Sequence, residues 1–410
     1  MTDNRSVGVI TGVGVVAPTG VGVAEHWSGT LAARSRLGPI TSFDAAGLPM
    51  RVVGEVAGFA ETGFVPNKLR VQTDRWTWMA LAATTLAFAD ADLDPAAHNP
   101  YDLSVVTASS SGGNAFGQRE IHALWSEGPR AVSAYQSIGW FYAASSGQIS
   151  IRDQLKGACG VIVADGAGGI DAVASAGRSI RRGTKAVLVG GTEAALSPYA
   201  IACQAGLGTL STDADPATAY RPFAPDAGGS VLGEGGALLV VEDPEFARDR
   251  GARVYAEIAA TASTHDAESP TGIPTDSRGL VRAMRMAVER AGLRQEDIDV
   301  VFADAVGERV HDAIEADAIT EVFGGRAVPV AVPKTMTGRL NSGGAALDLA
   351  WAALAIRHGV IPPSVNLPDG FVGELDVVTA MRPAPQLRTA LVVARGIGGF
   401  NSAAVVRAAD

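Results

Sequence analysis

Cysteine is scarce: Cys159 and Cys203 are the only two in 410 residues, too few for a disulfide framework or a cysteine-based zinc site. Histidine is scarce too. His26, His98, His122, His265, His311 and His358 form no H-x-x-x-H pair and none pairs with a cysteine at ligand spacing, so no metal site is expected. His311, Asp312 and Glu315 could share a helical face, and the set reads as a solvated surface rather than a ligand group. Basic residues are outnumbered, 33 against 43 acidic ones for a net charge of −10, with no long basic block. That excludes nucleic acid and anionic membranes as main partners. No apolar run approaches the ~18–20 residues of a spanning helix, and the start, Met1-Thr2-Asp3-Asn4-Arg5, leads straight into a strand pattern without a signal-peptide core. A soluble, cytoplasmic chain is expected. Aromatics are few (6 Trp, 6 Tyr, 12 Phe), whereas 49 glycines and a 47% apolar content suit helices packed closely on sheets.

Short β-branched runs at residues 6–16, 103–108, 161–164, 186–189 and 237–241 read as strands, and residues 76–91, 116–125, 170–182 and 277–291 read as helices. Continuous apolar strands separated by helices predict an α/β fold with a mainly parallel sheet covered on both faces. The second half repeats the first. Strand patterns at 103–108, 161–164, 186–191 and 237–241 have counterparts at 298–303, 328–332, 390–396 and 403–406. Two α/β halves, 1–245 and 252–410, are expected, joined near residues 242–251.

Gly12-Val13-Gly14-Val15-Val16-Ala17 mimics a dinucleotide fingerprint. Such a site needs a helix opening at the turn and an acidic residue about 20 positions on; Pro18-Thr19-Gly20 interrupts here, so the segment reads as a structural turn. The informative stretch is Val163-Ala164-Asp165-Gly166-Ala167-Gly168-Gly169-Ile170-Asp171-Ala172. A buried strand breaks at a glycine-rich turn into a helix whose last turn carries Arg178, Arg181 and Arg182, with Gly183 placed to cap it. A strand, a sharp turn and a helix N-terminus form the geometry that displays a nucleophile, because the helix dipole lowers a thiol's pKa and stabilises oxyanions. Here the tip is Gly166, which has nothing to donate.

The whole chain resembles the thiolase-fold β-ketoacyl synthases, and more narrowly the chain-length factor, the β subunit of type II polyketide ketosynthases. The segments that carry the resemblance include Pro66-Asn67-Lys68-Leu69-Arg70, Arg221-Pro222-Phe223-Ala224-Pro225-Asp226, Val231-Leu232-Gly233-Glu234-Gly235-Gly236, Pro333-Lys334-Thr335-Met336-Thr337-Gly338-Arg339-Leu340 and Gly396-Ile397-Gly398-Gly399-Phe400-Asn401-Ser402. The resemblance implies a thiolase-like fold of two duplicated halves in five layers, α-β-α-β-α. The condensing relatives use a Cys at the strand-to-helix turn and two histidines further on. Their positions correspond to Gly166, Asp304 and Arg339, while their lysine is kept as Lys334.

Gly166 cannot be acylated. An ionised Asp304 only accepts hydrogen bonds and would repel an enolate, and Arg339 stays charged and cannot act as a base. The two side chains are expected to attract each other in a disused pocket. Cys159 precedes the strand and is expected to be a buried, small apolar residue. Many chain-length factors carry Gln where Gly166 stands, so an independent decarboxylase activity is not expected.

Asn114, Gly117, Ile121 and Leu124 share one helical face, and Gly117 costs about 1 kcal/mol relative to Ala in a helix. The resemblance implies that this helix lies at a subunit interface and lines the tunnel for the growing polyketide, with Asn114, Gly117, Ile121 and Ile138 as gate positions. Residues 135–148, rich in aromatic and small side chains, are expected to pack on the other subunit, followed by a strand at 149–151. The implied partners are a ketosynthase α subunit, an acyl carrier protein and the polyketide chain. No cofactor is expected to bind directly, since substrates would arrive as phosphopantetheine thioesters on the carrier protein. The competing reading from the residues is a free-standing condensing enzyme or thiolase with an unrecognised nucleophile.

Overall fold

The computed structural model describes residues 6–59, 63–268, 276–368, 370–371 and 373–409. The segment Met1–Arg5, on which the leader expectation rests, lies outside the described residues. In the first half, strands β1 (Gly8–Ala17), β2 (Leu103–Ala108), β3 (Cys159–Ile162), β4 (Ala186–Glu193) and β5 (Gly235–Glu242) alternate with helices α1 (Arg75–Ala91), α2 (Asn114–Glu127), α3 (Gln136–Gly139), α4 (Ala144–Asp153) and α5 (Gly168–Ile180). The second half holds β6 (Ala256–His265), β7 (Val300–Phe302), β8 (Pro329–Ala331), β9 (Asp376–Val377), β10 (Thr389–Gly396) and β11 (Phe400–Arg407), with α6 (Arg278–Arg290), α7 (Arg309–Phe323) and α8 (Ser342–His358).

The strands run in the order β9-β8-β7-β10-β11-β6-β1-β5-β4-β2-β3. Apart from β9, the two sides of the β6–β1 seam mirror each other strand for strand, with β1 matching β6, β5 matching β11, β4 matching β10, β2 matching β7 and β3 matching β8. The hydrogen-bond pattern is mirrored as well: β2 pairs parallel with β3 and β4 while β5 is antiparallel to β4 and β1, and β7, β8, β10, β11 and β6 repeat the pattern. The repeat seen in the sequence is therefore a repeat of topology. A mainly parallel sheet is not what forms. Half of the neighbouring pairs, those nearest the seam, are antiparallel. Strands buried on both faces are apolar throughout whichever way they run, so pattern alone could not assign direction.

The layers follow from which faces are apolar. Helix α1 lies on the outer face of the first half, over a cluster that includes Trp76, Met79, Leu81, Leu188 and Leu238. Helices α5 and α8 lie between the halves, where Ile170, Val173, Leu347 and Trp351 share one core with Val187 and Val392. Helix α6 covers the outer face of the second half through Leu280, Met284 and Val288. Five layers result. Helix α8 is buried on all sides, from Ser342 to Ile356 apart from a half-buried Gly344, as expected of a helix that is apolar around nearly its whole circumference, with Asp348 as its one buried charge.

Gly12 and Gly14 are not in a turn but inside β1, facing α1. A Cβ on Gly14 would lie 1.8 Å from the carbonyl oxygen of Ala83 and one on Gly12 2.3 Å from that of Ala87, so the glycines let the helix backbone rest directly on the strand. Residues 149–151 are not a strand either but part of α4. Ile149 is fully buried and Ile151 66% exposed, and two positions apart on a helix also face opposite ways, which imitates strand alternation. Among the described residues no helix is long and apolar enough to cross a membrane.

Candidate functional site

Three connections converge at the C-terminal ends of parallel strands β3, β7 and β8, the end at which open α/β sheets present their sites. After β3 a single turn, Asp165–Ala167, leads into α5. Asp165 has φ 47°, an uncommon value for a residue other than glycine. It is held there by Ser342 Oγ donating to its carbonyl (2.8 Å) and by the Ile397 N–H donating to its carboxylate (2.9 Å). Gly166 at the tip is buried. A Cβ there would lie 2.3 Å from the Arg395 carbonyl oxygen and 3.5 Å from Nη2 of Arg339. The turn leaves no room for a side chain at this position without displacing the Arg395 carbonyl.

Asp304 follows β7 and Arg339 follows β8, and the fold brings both against Gly166. Arg339 Nη2 lies 3.2 Å from Asp304 Oδ1, and Nη1 donates to the Asp304 carbonyl at 2.6 Å. The expected pairing of these two side chains is what the structure contains. Lys334 Nζ donates to the carbonyls of Ala303 (2.5 Å) and Asp304 (3.1 Å) and pairs with Asp348 Oδ2 at 2.7 Å. Burial by itself would raise the Asp304 carboxyl. The charges of Arg339, Lys334 and Arg395 outweigh it and hold the group below the usual carboxylate range. Burial would likewise lower Arg339, but the Asp304 charge overrides it and raises the guanidinium further. Burial pushes Asp348 up to about 6 against the opposing pull of Lys334.

Asp312 and Glu315 are not a solvated face. Both are fully buried on the inner side of α7. Glu315 accepts from the backbone N–H groups of Asp304 (2.7 Å) and Ala305 (2.8 Å), and Asp312 accepts from those of Phe223 (2.8 Å) and Gly307 (2.9 Å). They pin the loop that carries Asp304, because its N–H groups have no strand partner and must be satisfied by something. Burial raises Asp312 to about 7 and raises Glu315 as well. Tyr220 closes the same loop by donating to the Ala305 carbonyl at 2.5 Å. Among the described residues no group of three His, Cys, Asp or Glu side chains is arranged to hold a metal.

Cys159 is exposed, not buried, since β3 is an edge strand that among the described residues pairs with β2 alone. Asn114, Gly117 and Ile121 lie along α2, and Ile138 lies on α3, which packs against it. Among the described residues, and beyond the backbone of α2 itself, a Cβ on Gly117 would have one atom within 4 Å, Trp140 Cβ at 3.6 Å. Asn114 and Ile138 are half-buried and Ile121 is exposed. None of the four is among the residues lining the pockets at Gly166, Asp304 and Arg339. Their surroundings form an apolar flank with Leu124, Trp125, Tyr135, Trp140, Phe141 and Ile151 all exposed, Trp125 by 83%, beside the open edge of β3.

Reading the sequence missed Asp348 and Arg395 as members of the buried cluster. A lone carboxylate inside the alanine-rich run of α8 was the available signal, because a buried charge demands a partner.

Residues 6–247 match the family described as beta-ketoacyl synthase, N-terminal domain, and residues 255–368 match beta-ketoacyl synthase, C-terminal domain. The chain is 51% identical over 403 residues to the tetracenomycin polyketide synthase ketoacyl synthase beta subunit of Streptomyces glaucescens, covering 97% of this chain and 98% of that protein. It is 48% identical over 403 residues to the actinorhodin polyketide putative beta-ketoacyl synthase 2 of Streptomyces coelicolor, covering 97% and 98%. Among solved structures, the ishigamide ketosynthase/chain length factor superposes with a TM-score of 0.91 at 28% identity, covering 98% of this chain and 99% of that one. A type II polyketide synthase acyl-carrier protein in complex with its ketosynthase bound to the hexaketide superposes with a TM-score of 0.89 at 27% identity, covering 99% and 100%.

Proposed function

The chain belongs to the β-ketoacyl synthase family, and on that premise we propose that it is the chain-length-determining β subunit of a type II polyketide ketosynthase, itself silent in condensation. The observation that carries this reading is the cluster at the strand ends. Where a condensing enzyme needs a nucleophile and two imidazoles, this chain has Gly166 under the Arg395 carbonyl and an Asp304–Arg339 ion pair. An ionised pair with each member's charge committed to the other has no proton to give or take at neutral pH. The partner ketosynthase α subunit supplies the nucleophile. An acyl carrier protein brings extender units as phosphopantetheine thioesters, in the cytoplasm, and the growing polyketide runs along the α2 face past Asn114, Gly117, Ile121 and Ile138. The halves 1–245 and 252–410 act as one scaffold. Copurification of the α subunit with this chain, and loss of polyketide from the mixture when this chain is left out, is the direct test.

The competing reading requires an acylatable side chain on this chain. The isolated chain incubated with an acyl-thioester probe is expected to stay unmodified by intact mass, and Gly166→Cys is expected to stay without condensing activity. The new Cβ must displace the Arg395 carbonyl, and a thiol without its partner bases recovers little, since such groups act as a unit. Carbon–carbon bond formation by the pure chain would overturn the reading.

The exposed flank supports a permanent heterodimer. Apolar side chains on α2, α3 and α4 next to an unpaired strand edge form the kind of surface that soluble chains cover. An interface above about 2,000 Å² is expected of such a pair. Expressed alone, the chain is expected to self-associate in light scattering at micromolar concentration, and with its partner to give one 1:1 species. A stable monomer contradicts this.

A further inference from the structure

On the same side of the sheet as Gly166 the chain encloses a pocket of about 850 Å³, counting the space at its mouth, whose wall includes Arg395, Arg339 and the Gly396–Phe400 turn. Arg395 is only 6% exposed. Among the described residues its guanidinium makes a single hydrogen bond, Nη1 to the His311 carbonyl at 3.1 Å, and no carboxylate lies within ion-pair distance. A guanidinium carries five N–H donors and cannot lose its charge. Its other donors are not sealed in protein but open into the pocket, where an acceptor can claim them. The two acidic residues in the same wall, Asp165 and Asp266, are turned to other donors: Asp165 accepts from the Ile397 N–H and Asp266 from Asn401 Nδ2 at 2.7 Å. Asp304, the charged acid behind the wall, is paired with Arg339.

We propose that this pocket binds a short-chain aliphatic carboxylate, its carboxylate forked on the Arg395 guanidinium and its hydrocarbon end against Leu207, Leu210, Leu232 and Val306. A planar guanidinium matches a planar carboxylate with two parallel hydrogen bonds. The four apolar residues belong to the same wall and offer an alkyl chain a way out of water. A phosphate fits less well, because its second charge would face Asp165 and Asp266. The assignment is independent of the tunnel on α2.

The test is calorimetric titration of the intact heterodimer with acetate, hexanoate and inorganic phosphate, repeated with Arg395→Met and Arg395→Lys in this chain. Hexanoate is expected to bind at least tenfold more tightly than acetate, and Arg395→Met to lose at least tenfold in hexanoate affinity. The melting temperature of the unliganded Arg395→Met complex is recorded as the folding control and is expected to fall, because the buried Asp304 and Glu315 lose a neighbouring positive charge. Should that variant fail to fold, Arg395→Lys, which keeps the charge but not the fork, is expected to fold and lose affinity by about tenfold. Absence of hexanoate binding to the unaltered complex, equal affinity in the variants, or tighter binding of phosphate than of hexanoate each overturns the proposal.

Discussion

Coexpressed with its ketosynthase partner and carrier protein, the Gly117→Phe variant is expected to yield shorter polyketides than the unaltered chain, with the full-length product reduced by roughly ten- to hundredfold. The reason is local. Position 117 sits on a helix face where an added Cβ meets one atom, Trp140 Cβ at 3.6 Å, and otherwise open space. Backbone conformation is no obstacle, since the residue lies in the first turn of α2, and replacing glycine within a helix adds propensity rather than removing it. The ring therefore costs the fold little, and its bulk falls where the proposed tunnel runs. Overpacking costs about 1–3 kcal/mol. Set against the last extension steps, that converts to roughly the stated fall in full-length product. Ile121→Phe is expected to act in the same direction but less, because a side chain already occupies that position. Product mass with total turnover as the control is the measurement. Unchanged length with intact turnover in both variants would mean that this face packs only against protein.

The second large effect is on stability. Arg339→Ala is expected to destabilise the chain by about 3–5 kcal/mol, the usual cost of removing one partner of a buried pair. Asp304 is 3% exposed, and its second carboxylate oxygen, Oδ2, has no hydrogen-bond partner among the described residues. Its charge is thus sustained by Arg339 directly and by Lys334 and Arg395 at longer range. Truncating Arg339 also strips the Asp304 carbonyl of one donor, although Lys334 keeps contact with it. The double variant Asp304→Leu/Arg339→Met is expected to recover most of the loss, because an apolar pair of similar volume often replaces a buried ion pair at little cost. Denaturant midpoints of the purified complex for the single and double variants give the coupling between the two sites. Strictly additive losses would mean that the ion pair is incidental.

The same pair sets an acid limit. A carboxyl whose pKa is lower in the fold than in the unfolded chain stabilises the fold above its unfolded value of about 4, and that contribution fades as pH falls through the folded value. The fold is therefore expected to lose the Asp304 contribution on acidification, and the double variant to lose less over the same range.

Much of this is legible in the sequence. The strand at residues 103–108 is β2 to the residue, and the helices expected at 76–91 and 277–291 appear as α1 and α6 within a residue or so at each end. Long runs with one period leave little choice. The resemblance implied that Asp304 and Arg339 share one site, their opposite charges predicted the pairing, and they meet. Where the reading failed, local pattern was degenerate. Ile149-Ser150-Ile151 alternates in a helix as it would in a strand. Gly12 and Gly14 look like a turn until a helix is laid across them. Cys159 is apolar enough for a core but lies on an edge strand.

The sequence by itself determined the class of the fold and the repeat of its strand patterns, because periodicity is a local property, and the resemblance implied that Gly166, Asp304 and Arg339 stand where condensing relatives carry their reacting groups. Only the tertiary structure decided strand direction, the burial of Asp312 and Glu315 beneath the loop they hold, and the closure of the Gly166 turn by the Arg395 carbonyl. Each of these depends on which distant segment occupies the space beside a residue: β10 beside the turn at Gly166, and the 304–307 loop beside α7. Proximity of that kind is created by packing the two halves together and is written in no single stretch of chain.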